Sequence, residues 1–290
     1  MIYFVNAKIN IGLQIVKRRA DGYHDLQTLF YPVGLYAGTP ENPEAFCDIL
    51  EVKKLPANPG EIRLHMAGRQ VDCPQEKNLV WRAARMFLDR VAQNRYGVEI
   101  WLYKQLPYGA GMGGGSADAA FTLRALSDIQ PVEEAKLYEM ALELGADCPF
   151  FLLNRAAYAE GVGERLVEMP PALAGCWLVV VKPGVYVSTK EAFAGVTPRP
   201  AEFDLRRLFE LPLEEWQPLA VNDFERSIFP KHPELAGIKD CLMAAGAAYA
   251  SMTGSGSALY GIFRDRDAAE KCRQQIAPMP TISANCLLKA

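Results

Sequence analysis

The sequence lacks the features that would place it in a membrane, in a secretory pathway or on a nucleic acid. No apolar run approaches the roughly 18 residues that a membrane span needs, and the N-terminus lacks the pattern of a signal peptide. The net charge of −3 and the pI near 5.8 leave no basic surface of the kind that nucleic acids require. With 290 residues, half of them hydrophobic, the chain is expected to form one large domain or two ordinary ones.

Histidine is scarce, and the cysteines are not arranged in pairs. The chain has three histidines and seven scattered cysteines, with no Cys-x-x-Cys pair. Neither a disulfide framework nor a zinc site is therefore expected. An odd number of unpaired thiols is typical of a reducing compartment, which predicts a cytoplasmic protein.

Glycine, in contrast, is concentrated in one stretch, residues 106–120, LPYGAGMGGGSADAA. Each glycine loses about 1 kcal/mol of helix propensity relative to alanine, so a loop is expected there. A flexible linker is the simple alternative, but a strand-like run at 98–104 precedes the stretch and an apolar helix pattern follows it. We predict Ser116 as the N-cap of that helix. A glycine loop that leads into a helix N-terminus forms a cradle for phosphate.

The usual nucleotide-binding motifs do not describe this loop. No Gly-Lys-Ser or Gly-Lys-Thr closes it, so it is not a Walker loop. Only a loose Gly-x-Gly-x-x-Gly spacing supports a dinucleotide fingerprint.

Periodicity predicts a mixed order of helices and strands. Residues 37–60 are predicted as an edge hairpin with loops, and the block that begins near Cys176 as an α/β sandwich of split β-α-β type. The predicted strands cover residues 1–16 (one strand or two), 26–35, 48–52, 62–66, 98–104, 156–167 (a pair), 176–181, 248–252, 258–263 and 281–287. The predicted helices cover residues 78–91, 116–127, 132–144, 188–193, 223–229, 233–245 and 267–276.

Several polar residues allow both a structural and a chemical interpretation. Lys8 falls in an apolar strand, where it could belong to a solvated face or to a site. Gly145 is expected to end one helix, and Pro149 is expected to stop a helix from continuing. Asp147 lies between them, so it could cap a helix or take part in catalysis. Asp21-Gly22 is a turn signal, and the aromatic rings that follow it could simply pack beside that turn.

The glycine stretch resembles the loop of the GHMP kinases, written Pro-x-x-x-Gly-Leu-Gly-Ser/Gly-Ser-Ser. Met112 stands in place of the usual Leu and Ala117 in place of the second Ser. The residues that fit are Pro107, Gly111, Gly113, Gly114, Gly115 and Ser116.

Four further segments resemble the branch of this family that acts on a cytidyl substrate. Ala-Lys-Ile-Asn-Ile at 7–11 is followed by Arg-Ala-Asp-Gly-Tyr-His at 19–24, which matches the branch pattern Arg-x-Asp-Gly-Tyr-His. Gly-Ala-Asp-Cys-Pro-Phe-Phe at 145–151 differs from the branch only in Cys148 for Val, and Thr-Gly-Ser-Gly at 253–256 matches its C-terminal glycine loop. The three departures, Met112, Ala117 and Cys148, are conservative in volume and are expected to tune function without abolishing it.

The resemblance implies an α+β, two-domain GHMP kinase fold. Residues 1–160 would form a ribosomal protein S5 domain 2-like, ATP-binding domain, and residues 161–290 a ferredoxin-like domain that completes the substrate site. The implied activity is ATP-dependent phosphorylation, with Mg²⁺, of the 2-hydroxyl of 4-diphosphocytidyl-2-C-methyl-D-erythritol in the non-mevalonate route to isoprenoids. The partner is then a small molecule, and the protein a monomer or weak homodimer.

The resemblance also assigns roles to residues. Lys8 and Asp147 are the implied catalytic pair, with Asp147 as the base. The implied substrate contacts are Asn10, Tyr23, His24, Thr189 and Phe193. The implied nucleotide contacts are Asn78, Leu79, Lys104, Pro107, Gly109, Ala110, Gly111, Gly113, Gly114, Gly115 and Ser116.

Two other functions stay open at this point. Another small-molecule kinase of the superfamily would share the loop, although the Asp-Gly-Tyr-His segment argues against it. A non-catalytic ligand sensor on the same fold could have lost its lysine or its base, and here both residues are present.

Overall fold

A computed structural model describes residues 1–34, 46–71, 73–279 and 282–290. The part of the predicted edge hairpin at 37–45 lies outside the described residues. The strands are β1 (Ile2–Val5), β2 (Ala7–Arg18), β3 (His24–Val33), β4 (Asp48–Leu55), β5 (Ile62–Gly68), β6 (Gly97–Lys104), β7 (Ala157–Gly161), β8 (Arg165–Glu168), β9 (Trp177–Pro183), β10 (Tyr249–Met252), β11 (Leu259–Phe263) and β12 (Ile282–Lys289).

Each predicted helix is present, with shifts at its ends, and two further short α-helices, Cys148–Leu153 and Trp216–Leu219, were not predicted. Short 3₁₀ helices add Gln75–Lys77, Leu205–Glu210 and Leu213–Glu215, and one π-helical turn, Leu88–Ala92, continues the first α-helix. The α-helices are α1 (Leu79–Phe87), α2 (Gly114–Ile129), α3 (Glu134–Leu144), α4 (Cys148–Leu153), α5 (Thr189–Ala194), α6 (Trp216–Leu219), α7 (Glu225–Ile228), α8 (Pro233–Ala244) and α9 (Arg266–Ile276). In the described part of the chain, no helix is both long enough and apolar enough to cross a membrane.

The chain forms two compact units and passes between them several times. The first unit contains Met1–Ala7, Ala45–Tyr108 and Gly113–Asn154. The second contains Lys8–Glu44, Gly109–Met112 and Arg155–Ala290. The glycine loop is therefore divided between the units: Gly109–Met112 belongs to the second unit, and the residues from Gly113 onward belong to the first. The division into domains at residue 160 stays a prediction.

The first unit is built on a sheet of strand order β1-β4-β6-β5, in which only the β5–β6 pair is parallel. Side chains alternate along β6: Val98, Ile100 and Leu102 are buried, whereas Trp101 and Tyr103 are exposed. Helix α2 packs against β1 and β4 as well as against α1, α3 and α4. The glycine loop therefore enters the most densely packed helix of this unit.

The first sheet of the second unit has the order β2-β3-β7-β8. The predicted Asp21-Gly22 turn joins β2 to β3: Gly22 has a φ of +89°, and the N–H of Arg19 donates to the carbonyl of Tyr23 at 2.8 Å. Strand β2 is buried on both faces from Ala7 to Ile15. The interpretation of Lys8 as part of a solvated strand face is therefore wrong.

The second sheet of this unit has the order β10-β11-β9-β12, with every pair antiparallel. Since β9 and β10 flank α8, and β11 and β12 flank α9, the order is that of a β-α-β-β-α-β fold. The ferredoxin-like expectation is thus confirmed. Strand β9 is buried on both faces, as its unbroken apolar run predicts.

Two predictions about helix ends are wrong. Helix α2 begins at Gly114 with Gly113 as its N-cap, so Ser116 lies inside the first turn and does not cap. Helix α4 begins at Cys148 and accepts Pro149 in its first turn, where the missing N–H of proline does no harm. The predicted stop at Pro149 therefore becomes a helix start.

Candidate active site

In the first unit, the glycine loop ends at a helix start that is open to an anion. Gly113 adopts a left-handed φ of +71°, and the first intrahelical hydrogen bond runs from the N–H of Ala117 to the carbonyl of Gly113 at 2.8 Å. The N–H groups of Gly114, Gly115 and Ser116 precede that bond and point out of the helix end. Together with the helix dipole they form an anion site.

Two of the predicted nucleotide contacts lie beside this helix start. A Cβ atom added to Gly115 would lie 3.8 Å from Cδ1 of Leu79, so Leu79 borders the loop. Asn78 caps α1 by accepting from the N–H of Val80 at 2.9 Å. Pro107 belongs to the same unit and is half-buried. These positions are compatible with a nucleotide site, and the individual contacts stay predictions.

The segment that carries Asp147 borders Ser116 in the first unit. A Cβ added to Gly145 would lie 3.5 Å from the Sγ of Cys148 and 3.9 Å from the Oγ of Ser116, so the hydroxyl borders the segment that carries Asp147. Burial raises the pKa of the Cys148 thiol to about 12, against the opposing hydrogen bond with Ser116. Asp147 holds the N-cap position of α4, yet its side chain makes no capping hydrogen bond to any described residue. Capping therefore does not account for this carboxylate.

In the second unit, the first residues of the glycine loop contact the Thr-Gly-Ser-Gly segment and the two residues that follow it. The carbonyls of Gly109 and Ala110 accept from the N–H groups of Ser257 and Ala258 at 3.4 and 3.3 Å. A Cβ on Gly111, whose φ is +70°, would lie only 2.1 Å from the carbonyl oxygen of Thr253. Only glycine fits such an approach at this φ.

Lys8 lies in a chain of buried polar contacts in the second unit. Its Nζ donates to Oδ1 of Asn10 at 2.6 Å, and Nδ2 of Asn10 donates to the hydroxyl of Thr28 at 3.0 Å. The ring of Phe30 lies 4.9 Å from the ammonium, measured to its centroid. The N–H of Lys8 donates to the carbonyl of Met112 at 3.0 Å, which ties this strand to the glycine loop. Lys8 and Asn10 are thus in direct contact, and their roles in catalysis and substrate binding stay predictions.

The predicted cytosine contacts are brought together in part. The rings of His24 and Phe193 stack at 4.9 Å with an interplanar angle of 23°, and Phe193 meets Phe224 edge-on. Burial, with a smaller contribution from the Arg18 guanidinium, lowers the pKa of His24. Tyr23 is 65 % exposed. A flat apolar surface therefore exists beside the β2–β3 turn, and the roles of these rings stay predictions.

Thr189 lies at the N-terminus of α5, in the second unit. Its hydroxyl lies 3.4 Å from that of Ser255, in the Thr-Gly-Ser-Gly segment. The same segment supplies Thr253, whose hydroxyl accepts from the N–H of Asn10 at 3.1 Å. Thr253 was not among the predicted site residues, although the motif that contains it was recognised.

Lys104, a predicted nucleotide contact, forms ion pairs with two carboxylates. Its ammonium binds Asp118 at 2.6 Å and also binds Asp48. Its carbonyl accepts from the N–H of Arg69 at 2.8 Å. Sequence reasoning missed Asp48, because a carboxylate at the start of an alternating strand carries no signal of its partner far along the chain.

Comparison with known proteins agrees with this geometry. The family model for the GHMP kinases N-terminal domain matches residues 78–155, and the model for the C-terminal domain matches residues 202–279. The 4-diphosphocytidyl-2-C-methyl-D-erythritol kinase of Bacteroides thetaiotaomicron is 43% identical over 91% of this chain and 92% of its own length. That of Parabacteroides distasonis is 42% identical over 91% and 92%.

A solved structure is similar throughout. The crystal structure of a 4-(cytidine 5'-diphospho)-2C-methyl-D-erythritol kinase matches with a TM-score of 0.80 and 34% identity, and the match covers 100% of both chains. The chain therefore belongs to the GHMP kinase family, on its 4-diphosphocytidyl-2-C-methyl-D-erythritol kinase branch.

Proposed function

We propose that this protein transfers the γ-phosphoryl group of ATP to the 2-hydroxyl of 4-diphosphocytidyl-2-C-methyl-D-erythritol. The observation that carries the proposal is the run of left-handed glycines that ends at the open N-terminus of α2, with Ser116 beside the segment of Asp147. The names of the relatives supply the identity of the acceptor.

The triphosphate is the part of ATP that this loop suits. The N–H groups of Gly114, Gly115 and Ser116 converge with the positive end of the helix dipole, and the hydroxyl of Ser116 adds a donor. Asn78 and Leu79 lie next to this point and would border the base, and Lys104 supports the strand from which the loop departs.

The chemistry needs a proton acceptor and a cation. Asp147 takes the proton of the 2-hydroxyl while the hydroxyl oxygen forms a bond to the γ-phosphorus and the bond from phosphorus to the bridging oxygen of ADP breaks. Lys8 stabilises the negative charge that develops on the acceptor oxygen. Asn10 holds the Lys8 ammonium in place through the 2.6 Å hydrogen bond. The products are the 2-phosphate and ADP, and the proton stays on Asp147 until it is released.

The cytidyl group is recognised by aromatic surface. Tyr23, His24 and Phe193 supply stacking area, and stacking of a base on an aromatic ring contributes about 1–3 kcal/mol. Thr189 provides a hydroxyl at the edge of this surface.

Mg²⁺ is proposed as the counter-ion of ATP. Among the described residues, no group of three or more His, Cys, Asp or Glu side chains could hold a metal ion. The two buried carboxylates near the loop already share the Lys104 ammonium. The described residues thus supply no dedicated metal cage, and we propose that the ion arrives on the phosphates.

The cellular setting follows from the same proposal. We place the enzyme in the cytoplasm, as a monomer or weak homodimer, in the non-mevalonate route to isoprenoid precursors. Neither nucleic acid nor membrane is part of its function.

ATP consumption by the purified protein tests the proposal. The acceptor is offered beside homoserine, mevalonate and galactose, and we expect turnover with the cytidyl substrate alone. Turnover with one of the others would retain the kinase and overturn the substrate. ATP binding without turnover on any of the four would favour a ligand sensor.

A further inference from the structure

Two buried carboxylates of the first unit share one ammonium group. Nζ of Lys104 donates to Oδ2 of Asp118 at 2.6 Å and to Oδ2 of Asp48. The three side chains are 7%, 4% and 0% exposed in the order Lys104, Asp118, Asp48. We call these three residues the aspartate–lysine cluster.

The cluster fastens the chain on both sides of the glycine loop. Oδ1 of Asp48 accepts from the N–H groups of Gln105 and Leu106 at 2.6 and 2.8 Å, where the chain leaves β6. Asp118 belongs to the second turn of α2, on the other side of the loop. A Cβ on Gly114 would lie 3.7 Å from Nζ of Lys104, so the cluster lies directly beneath the first residue of that helix.

The charges of the cluster do not balance if both carboxylates are ionised. Asp48 has hydrogen bonds on both oxygens, whereas Oδ1 of Asp118 is buried with no hydrogen-bond partner in the described part of the chain. A buried carboxylate that is charged and has one unpaired oxygen is unfavourable, and a proton on the Asp118 carboxyl group removes the net negative charge of the cluster.

The pKa shifts point in the same direction. Burial raises the pKa of Asp118 to about 8; Lys104 opposes this shift and Asp48 adds to it. Burial lowers the pKa of Lys104, but Asp118 and Asp48 together outweigh burial and raise it, so the ammonium stays charged. Among the described residues, Lys104 of β6 and Asp48 of β4 are the charged groups that act on Asp118.

We propose that Asp118 is a positioning residue whose carboxyl group carries a proton, so that the aspartate–lysine cluster is neutral beneath the N-terminus of α2 when the phosphates of ATP bind. This inference rests on the proposed function, because it takes ATP as the ligand of the loop. Ionisation of Asp118 gives the cluster a net charge of −1 at the helix end that must attract an anion.

As the pH rises through the titration of Asp118, the added negative charge weakens ATP binding, by roughly three- to tenfold for one partly screened charge. By linkage, ATP binding raises the pKa of Asp118, so binding takes up protons in the titration range.

Calorimetric titration of ATP between pH 7 and 9.5, in buffers of different ionisation enthalpy, measures both effects. The wild-type protein is expected to lose affinity towards pH 9.5 and to take up protons on binding. Asp118→Asn mimics the protonated side chain. Its affinity for ATP is expected to be nearly the same at pH 7 and pH 9.5, and it should take up no protons when ATP binds. Glu143→Gln, an exposed ion-pair change, controls for the titration of ATP itself.

The two carboxylates give a matched comparison of stability. Asp48→Asn changes the side chain that holds Lys104 and accepts from two backbone N–H groups, so it is expected to lower the Tm far more than Asp118→Asn. Equal losses from the two variants, or an Asp118→Asn protein with the wild-type pH dependence, would overturn the proposal.

Infrared difference spectroscopy keeps the test independent of folding and of turnover. A protonated carboxyl band should be present in the wild-type protein at pH 7 and disappear towards pH 9.5, and its absence at pH 7 contradicts the proposal. Because the band is measured without substrate, a protein that has the band but phosphorylates none of the acceptors would refute the proposed function alone.

Discussion

The Nζ atom of Lys8 and the Oδ1 atom of Asn10 are 2.6 Å apart, on the same face of β2. Residues two apart in a strand point the same way, so the spacing in the sequence already allows this contact. Asn10 is held in turn by the hydroxyl of Thr28 at 3.0 Å. The ammonium is therefore fixed in the second unit before any ligand binds.

Replacement of Lys8 by Met should lower kcat by about 10²–10³, the usual effect of removing one preorganised donor. Methionine fills the same volume, so the protein should stay folded. Steady-state kinetics and thermal unfolding measure the two effects, with Lys53→Met, an exposed change on β4, as the control. A kcat within twofold of the wild type would exclude a catalytic role for Lys8.

Asp147→Asn should retain ATP binding and lose turnover by about 10²–10⁴, the range for a general base. Loss of a helix cap should not contribute to any change in Tm, because the side chain of Asp147 makes no capping hydrogen bond in α4. Asp265→Asn is the matched control: Asp265 does cap α9, through the N–H of Ala268 at 2.8 Å, and asparagine caps equally well. Full activity of Asp147→Asn would leave the reaction without its assigned base.

Phe193→Leu should raise KM for the cytidyl substrate by about 5- to 150-fold, which corresponds to the loss of 1–3 kcal/mol of stacking. KM for ATP should not change. Phe4→Leu, at an exposed ring of the first unit, serves for comparison. If KM for both substrates rose together, the effect would be one of folding and the stacking role would be lost.

Gly111→Ala should abolish ATP binding, because the new Cβ would lie 2.1 Å from the carbonyl oxygen of Thr253. Gly175→Ala separates the two possible causes. Gly175 also has a left-handed φ, +82°, but a Cβ there would meet no described atom within 4 Å. We expect a modest loss of Tm in Gly175→Ala and unchanged binding; equal behaviour of the two variants would mean that backbone strain alone is responsible.

Ser116→Ala distinguishes a phosphate contact from a helix cap. A lost cap destabilises by about 0.5–2 kcal/mol, but Gly113 holds the cap position here, so the Tm should be retained. The lost hydrogen bond to a charged phosphate should raise the Kd for ATP by about 10- to 100-fold. Ser188→Ala removes the side chain that caps α5, so this variant should have a lower Tm. An unchanged Kd in Ser116→Ala would remove Ser116 from the site.

Much of the fold could be predicted because periodicity and turn residues are local. The strand predicted at 98–104 is observed at Gly97–Lys104, and the apolar run at 176–181 is β9, buried on both faces. The order of the last four strands followed from the alternation of strands and helices. Local signals failed where one sequence is compatible with two structures. Pro149 is an example, because a proline can either stop a helix or start one.

The site was predicted through motifs and was incomplete where contacts join distant segments. Lys8 looked like one polar residue of an alternating strand, since nothing in the sequence reveals that both faces of β2 are covered. The contact between Lys104 and Asp48 joins residues 56 positions apart in the sequence. Neither residue belongs to a motif from which the other could be predicted. Gly113 capped α2 in place of Ser116, because a left-handed glycine starts a helix without the side chain that usually marks the start.

The first strand of the first unit has a consequence for synthesis on the ribosome. Strand β1 pairs with β4, but the helix α2 that packs on both strands comes much later, and the unit ends only at Asn154. The β1–β4 pair must therefore wait without its covering helix until Gly114–Ile129 has been translated. Folding of the nucleotide-binding half during translation is thus a late event, and chaperone contact with the nascent N-terminus is most valuable before residue 154 has left the ribosome.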